Sequence, residues 1–187
     1  KTKVPLNDSF YEQIVKKAFK KIGYPEAGFE RGETFFPDEA EIHVYVSTQS
    51  SDITMGVVKA EGEIGAGDQG MMFGYATSER EDYMPSAFSY ARQIRDVLYD
   101  YALKHPEIFG VDMKTEVLMD YDTKENFDDC KPQHIAKIIV AISHNKAVEQ
   151  DEVKRLVKKI ITENVKFEAG HYDEALPFYI NNTGRVV

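Results

Sequence analysis

The sequence has a single cysteine, Cys130, and a shortage of basic side chains. One cysteine excludes an internal disulfide framework and fits a reducing compartment, so we expect a cytoplasmic protein. Lysine and arginine total 23 against 32 aspartates and glutamates, which gives a net charge of −9. This charge disfavours nucleic acid and anionic membrane as partners, because both are bound through basic surfaces. The sequence also lacks an apolar run of membrane-spanning length and a secretory signal core.

The residues that are present suffice for a hydrophobic core in one or two domains. Hydrophobic side chains occupy 42% of the 187 positions, which is ordinary for a globular protein. Because the chain begins at Lys1 and ends soon after a strand pattern, we expect it to be an excerpt of a longer polypeptide.

Apolar residues at spacings of three and four predict three amphipathic helices. The first runs over residues 9–22, where Ser9 and Glu12 have the spacing of a capping box. The second opens at Pro85, and the third covers about 151–164. The tyrosines in the stripe of the second helix are expected to be packing residues.

Alternating apolar residues predict strands between these helices. The two longest, 114–121 and 134–144, are expected to pair as an antiparallel hairpin, and the run 138–142 suggests burial on both faces. The shorter predicted strands are 41–46, 71–76 and 178–180. Together the elements predict an α+β fold, with mixed or antiparallel sheets and helices packed on one face.

A glycine-rich stretch, Gly65–Gly70, satisfies the G-x-G-x-x-G pattern of dinucleotide-binding proteins. That interpretation fails on context, because no buried strand precedes the stretch and no helix follows it. What remains is a bend where backbone amides and the Asp68 carboxylate can approach a ligand. The long polar segment 47–62 leads into this bend, which favours a functional lid. Asp68 could alternatively be a turn residue that bonds only its own backbone.

The dodecamer Gly65–Ala76 resembles the signature hexapeptide and following strand of the S-adenosylmethionine synthetases. Four further stretches match that family in order: Gln49–Ile53, Tyr83–Pro85, Asp112–Lys114 and Ile180–Arg185. The resemblance implies that residues 1–60 are the rear part of an N-terminal domain that includes the lid, and that residues 61–187 are the central domain. It covers nearly the whole chain but only about half of the family's length.

The resemblance implies synthesis of S-adenosylmethionine, phosphate and pyrophosphate from ATP, L-methionine and water. Lys114 matches the ATP-contacting lysine and is the catalytic candidate; without the resemblance it would be an exposed lysine at the head of a strand. Asp68 and Gln49 match methionine-binding residues, and the backbone of Arg185 matches a position along adenine. The implied substrate-binding residues are Gln49, Asp68, Asp112, Met113, Lys114, Arg185 and Val186. The implied lid consists of Gln49, Ser50, Ser51, Asp52, Ile53, Thr54, Met55, Gly56, Val57, Val58 and Lys59.

The sequence departs from the family at some positions and lacks some of its motifs. Val186 replaces an aromatic platform, Thr54-Met55 replaces the usual Asn-Gln, and Asn182 replaces a proline. The His-Pro-Asp-Lys motif and the later glycine-rich phosphate and metal motif are absent. Mg²⁺ and K⁺ ligands are therefore expected outside this chain, with no metal ligand within it.

Three hypotheses follow. The first is a fragment of an enzyme whose site forms between subunits of a homodimer or dimer of dimers. The second is an inactive paralogue that acts as a binding or interaction subunit. The third is an unrelated domain that binds a nucleotide or anion at the glycine bend.

Overall fold

A computed structural model describes residues 6–26, 35–47, 50, 52, 55, 57, 65, 70–126 and 130–184. Its helices are α1 Asp8–Ile22, α2 Ser86–Lys104 and α3 Gln150–Asn164, with a short 3₁₀ helix at Pro37–Glu39. Its strands are β1 Phe109–Tyr121, β2 Pro132–His144 and β3 Phe178–Ile180. The three predicted helices are thereby confirmed, and both long strands extend beyond their predicted starts.

The three strands form one mixed sheet in the order β1-β2-β3. β1 and β2 are antiparallel, as predicted for the hairpin, and Thr115 lies opposite Val140. β3 joins the other edge of β2 in parallel, with Ile180 opposite the same Val140. The parallel pairing requires the chain to cross over between β2 and β3, and helix α3 makes that crossover.

The core lies between one face of this sheet and the helices α2 and α3. Tyr90 of α2, Ile138 of β2 and Val153 of α3 are all fully buried. The hydroxyl of Thr115 donates to the backbone oxygen of Ala91 at 2.8 Å, which ties β1 to α2. The packing of helices on one face of a mixed sheet confirms the α+β prediction.

The other face of the sheet is more exposed than the sequence predicted. Residues 138, 140 and 142 of β2 are buried, whereas Ile139 and Ala141 between them are half-buried. Burial on both faces was therefore the wrong expectation for the described part of the chain. Because side chains alternate along a strand, the helices cover only one set of them. We call the remaining side the open face, defined by Lys114, Glu116, Ile139, Ala141 and Tyr179.

Helix α1 begins one residue earlier than predicted and uses another cap. Asn7 is the N-cap, and its side chain accepts from the amide of Phe10 at 3.0 Å, so the capping box of Ser9 and Glu12 is wrong. Asparagine is as good an N-cap as serine, so either residue is chemically suited to the position. The helix ends where the Tyr99 hydroxyl of α2 donates to the backbone oxygen of Ile22 at 2.6 Å.

Two of the predicted short strands are not strands of the sheet. Residues 41–46 and 71–76 have no regular secondary structure, and Met72 and Phe73 are almost fully exposed. Alternation and β-propensity favour an extended chain, but a strand also needs a neighbouring edge with free backbone groups. Neither segment pairs with an edge of the described sheet.

Candidate functional site

The candidate catalytic cation, Lys114, lies in the middle of β1 on the open face. Its backbone pairs with Ala141, while its neighbour Met113 pairs with Ile142 and is half-buried on the core side. Asp112 is exposed just before them. The alternation of β1 therefore holds the Lys114 ammonium on the side of the sheet away from the helices. It forms no ion pair within the described residues.

A shallow depression of about 610 Å³ lies beside this lysine. It is lined by Lys114, Thr115 and Glu116 of β1 and by Ile139 and Ala141 of β2. Glu116 is the next residue on the same face, so one carboxylate flanks the cation. The depression offers an ammonium group over an apolar floor, which suits an anionic ligand that also has an apolar part.

The other predicted substrate-binding residues lie outside the described residues. These are Gln49, Asp68, Arg185 and Val186. Whether they meet Lys114 in one pocket therefore stays a prediction. The same holds for Ser51, Ile53, Thr54, Gly56, Val58 and Lys59 of the lid.

The described lid residues are Ser50, Asp52, Met55 and Val57. Asp52, Met55 and Val57 have helical backbone conformation, where the sequence predicted an irregular loop. The backbone oxygen of Val57 accepts from the amide of Gly65 at 2.7 Å. This bond joins the lid to the first residue of the glycine bend, so the two predicted ligand-binding segments are in direct contact.

A carboxylate that the sequence did not single out, Glu79, lies where three segments meet. It accepts from the Ser86 amide at 2.8 Å, the Tyr121 hydroxyl at 2.9 Å and the Thr77 hydroxyl at 3.3 Å. Ser86 is the first residue of α2, so the negative charge also complements the positive end of that helix. Glu79 therefore connects the end of the 70–77 segment to α2 and to the end of β1.

The hydrogen bonds shift the ionisation of both Glu79 and Tyr121. Partial burial alone would raise the pKa of the Glu79 carboxyl, but the bonds from Ser86, Tyr121 and Thr77 outweigh it and lower that pKa below 4.5. Burial, and then the hydrogen bond to Glu79, raises the pKa of the Tyr121 hydroxyl well above 10.0. The pair is thus held as a carboxylate and a neutral phenol.

The loop that follows Glu79 is fixed by two more charged side chains. Asp82 accepts from the amide of Met84 at 3.2 Å and from the hydroxyl of Ser89 at 3.1 Å, and these bonds lower the pKa of its carboxyl. Arg80 pairs with Glu168 at 2.7 Å, and its guanidinium lies 4.8 Å from the centre of the Tyr90 ring.

The resemblance implies Mg²⁺ and K⁺, with their ligands expected outside this chain. Within the described residues, no group of three or more histidine, cysteine, aspartate or glutamate side chains is arranged to hold a metal ion. In the same part of the chain, no helix is both long and apolar enough to cross a membrane.

The fold and the site define a class: an α+β domain that presents a strand lysine on an uncovered sheet face. The model of the S-adenosylmethionine synthetase central domain matches residues 63–186. The chain therefore belongs to the S-adenosylmethionine synthetase family.

Individual relatives agree with this assignment. S-adenosylmethionine synthase 2 of Rhodospirillum rubrum is 35% identical over 181 residues, covering 94% of this chain and 42% of the relative. The S-adenosylmethionine synthase of Clostridium acetobutylicum is 33% identical, covering 94% of this chain and 45% of the relative. The solved structure of an unusual S-adenosylmethionine synthetase from Campylobacter jejuni has a TM-score of 0.82 and 38% identity, and covers 100% of this chain and 46% of that one. The chain thus spans less than half the length of these proteins.

Proposed function

We propose that this chain is the lid-bearing and central portion of a cytoplasmic methionine adenosyltransferase. The full enzyme converts ATP, L-methionine and water to S-adenosylmethionine, phosphate and pyrophosphate. The observation that carries the proposal is the placement of Lys114, which a family-matching strand holds on the open face with no ion pair among the described residues. Residues 1–60 then belong to the N-terminal domain, and residues 61–187 are the central domain.

The chemistry explains why a free cation matters. The thioether sulfur of methionine is a neutral nucleophile, so its attack on the ribose 5′ carbon needs no general base. The barrier comes from the charge that collects on the departing triphosphate and from the alignment of sulfur with carbon. Lys114 offsets part of that charge, Asp68 binds the methionine ammonium, and Gln49 contacts methionine from the root of the lid.

The remaining substrate contacts are assigned by position in the family. Asp112 and Met113 precede the lysine on β1 and border the nucleotide. The backbone of Arg185 runs along adenine, and Val186 gives the base an apolar surface without aromatic stacking. Mg²⁺ and K⁺ are held by parts of the enzyme outside this chain, together with most of the triphosphate.

The open face supports self-association as a homodimer or as a dimer of dimers. Ile139 and Ala141 lie on the same face as Lys114, so a second copy packed there would close the depression around the lysine. The exposed side chains of Met71, Met72 and Phe73 also suit burial against further protein, since contiguous exposed apolar residues are unusual on a complete soluble surface.

The test is to express the complete reading frame, determine its intact mass and assay S-adenosylmethionine formation with ATP, methionine, Mg²⁺ and K⁺. A polypeptide of about twice this mass that makes product supports the proposal. A frame that ends at Val187 or an inactive full-length protein overturns it. The second candidate is an inactive paralogue that keeps the fold as a binding subunit; Val186 and Thr54-Met55 favour it, and self-association without turnover is its expected signature.

A further inference from the structure

We propose that Thr115 is a positioning residue for Lys114, because its hydrogen bond to Ala91 selects the register of β1 that places this lysine opposite Ala141. The inference rests on the proposed function, in which Lys114 offsets charge on the departing triphosphate. It starts from an irregularity in the pairing of β1 with β2.

The two ends of the hairpin share one register. The outermost pairs are Phe109 with His144 and Tyr121 with Pro132. These pairs are twelve positions apart on each strand, so a hairpin without interruptions would continue the same register from one end to the other. We call this the end register.

The middle of β1, Met113–Leu118, follows a different register. Met113 lies four positions after Phe109, but its partner Ile142 lies only two positions before the partner of Phe109. The middle segment is therefore displaced by two residues from the end register. Among the described pairs of the sheet, residues 110–112 have no partner in β2. Because this pairing is given up, contacts elsewhere have to favour the displaced register.

The displacement decides which charge lies opposite Ala141. In the observed register the residue there is Lys114, whereas in the end register it would be Asp112, two positions earlier. A shift of two residues leaves every side chain on its own face, since successive side chains alternate, so the pattern of polar and apolar residues does not distinguish the two registers. In the end register a carboxylate would take the place of the ammonium group, which would lie about 7 Å further along the sheet.

Thr115 is the core-side residue that distinguishes the two registers. Its hydroxyl donates to the backbone oxygen of Ala91 in α2 at 2.8 Å. In the end register Met113 would take this place, and its thioether has no proton to donate. Thr115 would move to the position opposite the fully buried Ile138, where Val117 now lies, and its hydroxyl would lose the Ala91 oxygen. The threonine therefore favours the register that presents the lysine.

The test compares Thr115→Val with Thr115→Ser in the full-length enzyme. Valine keeps the shape of the side chain and removes the donor, whereas serine keeps the donor. The control is Thr162→Val, because the Thr162 hydroxyl donates to the backbone oxygen of Lys159 within α3, away from β1. For Thr115→Val we expect kcat to fall about fivefold or more, with both KM values within about twofold, since a shifted fraction of the molecules is inactive and the remainder is unchanged. Thr115→Ser and Thr162→Val should match the wild type.

Disulfide trapping reports the register directly and needs no turnover. In a Cys130→Ser background, the two double variants are Glu116→Cys with Ile139→Cys, opposite each other in the observed register, and Asp112→Cys with Ala141→Cys, opposite each other in the end register. Opposed cysteines are close enough to bridge, and cysteines two positions out of register are not. With Thr115 present only the first pair should close, and adding Thr115→Val should raise the yield of the second pair at least about threefold.

The outcomes separate the register from the reaction. If Thr115→Val does not fold, Thr115→Ala takes its place, since alanine also lacks the donor. Wild-type kcat without the hydroxyl, or a lower Tm with unchanged trapping, overturns the positioning role and leaves the proposed function standing. A wild-type enzyme that makes no S-adenosylmethionine overturns the proposed function and the link of Thr115 to catalysis, while trapping still decides whether Thr115 selects the register.

Discussion

At the scale of single residues, the proposed site depends on where β1 places one ammonium group. Lys114 and Glu116 project from the open face, whereas Thr115 between them donates to α2 on the core side. A shift of one residue in the register would bury the lysine and expose the threonine. The pairing of Lys114 with Ala141 is therefore as important to the site as the side chain itself.

Replacing this lysine should remove catalysis and spare the fold. We expect Lys114→Ala in the full-length enzyme to lower kcat by about 10²–10³-fold, the usual cost of losing one electrostatic contact to developing charge. Lys146→Ala, at an exposed position in the turn after β2, is the matched control. Product formation would be followed together with thermal unfolding. Wild-type turnover in Lys114→Ala would remove this residue from the site.

The ionisation of Glu79 predicts how stability depends on pH. Its pKa is lower in the folded chain than its ordinary value of 4.5, so its stabilising contribution is present above that value. The contribution is lost as the pH falls through the folded-state pKa. The Tm difference between wild type and Glu79→Gln should accordingly be largest near neutrality and shrink below pH 4.5. A difference that stays constant to about pH 3 would show that the charge of Glu79 does not stabilise the fold.

At the scale of elements, Asn181 shows how the end of β3 is fixed to the sheet. Its side chain accepts from the amide of Ile142 at 2.9 Å and donates to the oxygen of the same residue at 3.0 Å. The side-chain amide therefore takes the place of a further residue of a paired strand. Asn181 is almost fully buried and has a φ of 48°, a conformation that asparagine tolerates better than most residues.

Removing that amide should destabilise the whole domain. Asn181→Ala leaves the buried amide and oxygen of Ile142 without these partners, at about 1–3 kcal/mol for each group. Asn182→Ala is the control, because it changes an exposed asparagine one position later. Urea unfolding should show a lower midpoint for Asn181→Ala alone. Equal midpoints would mean that water replaces the lost bonds at no cost.

At the scale of the whole molecule, the open face is the surface where we propose that the site and a second copy meet. Helices α2 and α3 cover one side of the sheet, and Lys114, Ile139 and Tyr179 lie on the other. An acidic side chain placed at the centre of this face would have to be desolvated when a second copy packs on it. Association and turnover are therefore expected to be lost together.

The variant Ile139→Glu tests whether copies of the protein associate through the open face. We expect the full-length protein to shift from an oligomer to a single chain in sedimentation, with loss of activity. Phe88→Glu makes the same kind of change at an exposed position of α2, on the helical side, and should leave the assembly intact. An unchanged oligomer in Ile139→Glu would place the interface elsewhere.

Much of the fold could be predicted because its signals are local. The stripe of α2 and the alternation of β1 and β2 specify which side chains share a face, and the hairpin follows from two long strands joined by a polar turn. The predicted N-cap of α1 was wrong by two positions. Asn7 and Ser9 are both suitable N-cap residues, and the sequence pattern does not distinguish between them.

The site was only partly predictable. Lys114 was predicted through its family context and its position at a strand, and the structure places it on the open face. The hydrogen bond between Val57 of the lid and Gly65 of the bend was not predicted. Glu79 and Asn181 were missed, because each bonds a residue far away in the sequence: Tyr121 is 42 positions from Glu79, and Ile142 is 39 positions from Asn181. The only local signal for Glu79 was a carboxylate shortly before a helix start, which is common on any acidic surface.

By itself, the sequence determined the three helices, the hairpin and the family. Hydrophobic periodicity and sequence motifs depend only on residues that are close together in the chain. Tertiary structure alone decided that residues 41–46 and 71–76 stay outside the sheet, that β3 joins β2 in parallel, and that Glu79 connects α2 with β1. The physical reason is that a side chain's local pattern fixes which way it faces, whereas its partner depends on which distant backbone or carboxylate the fold brings within hydrogen-bonding distance.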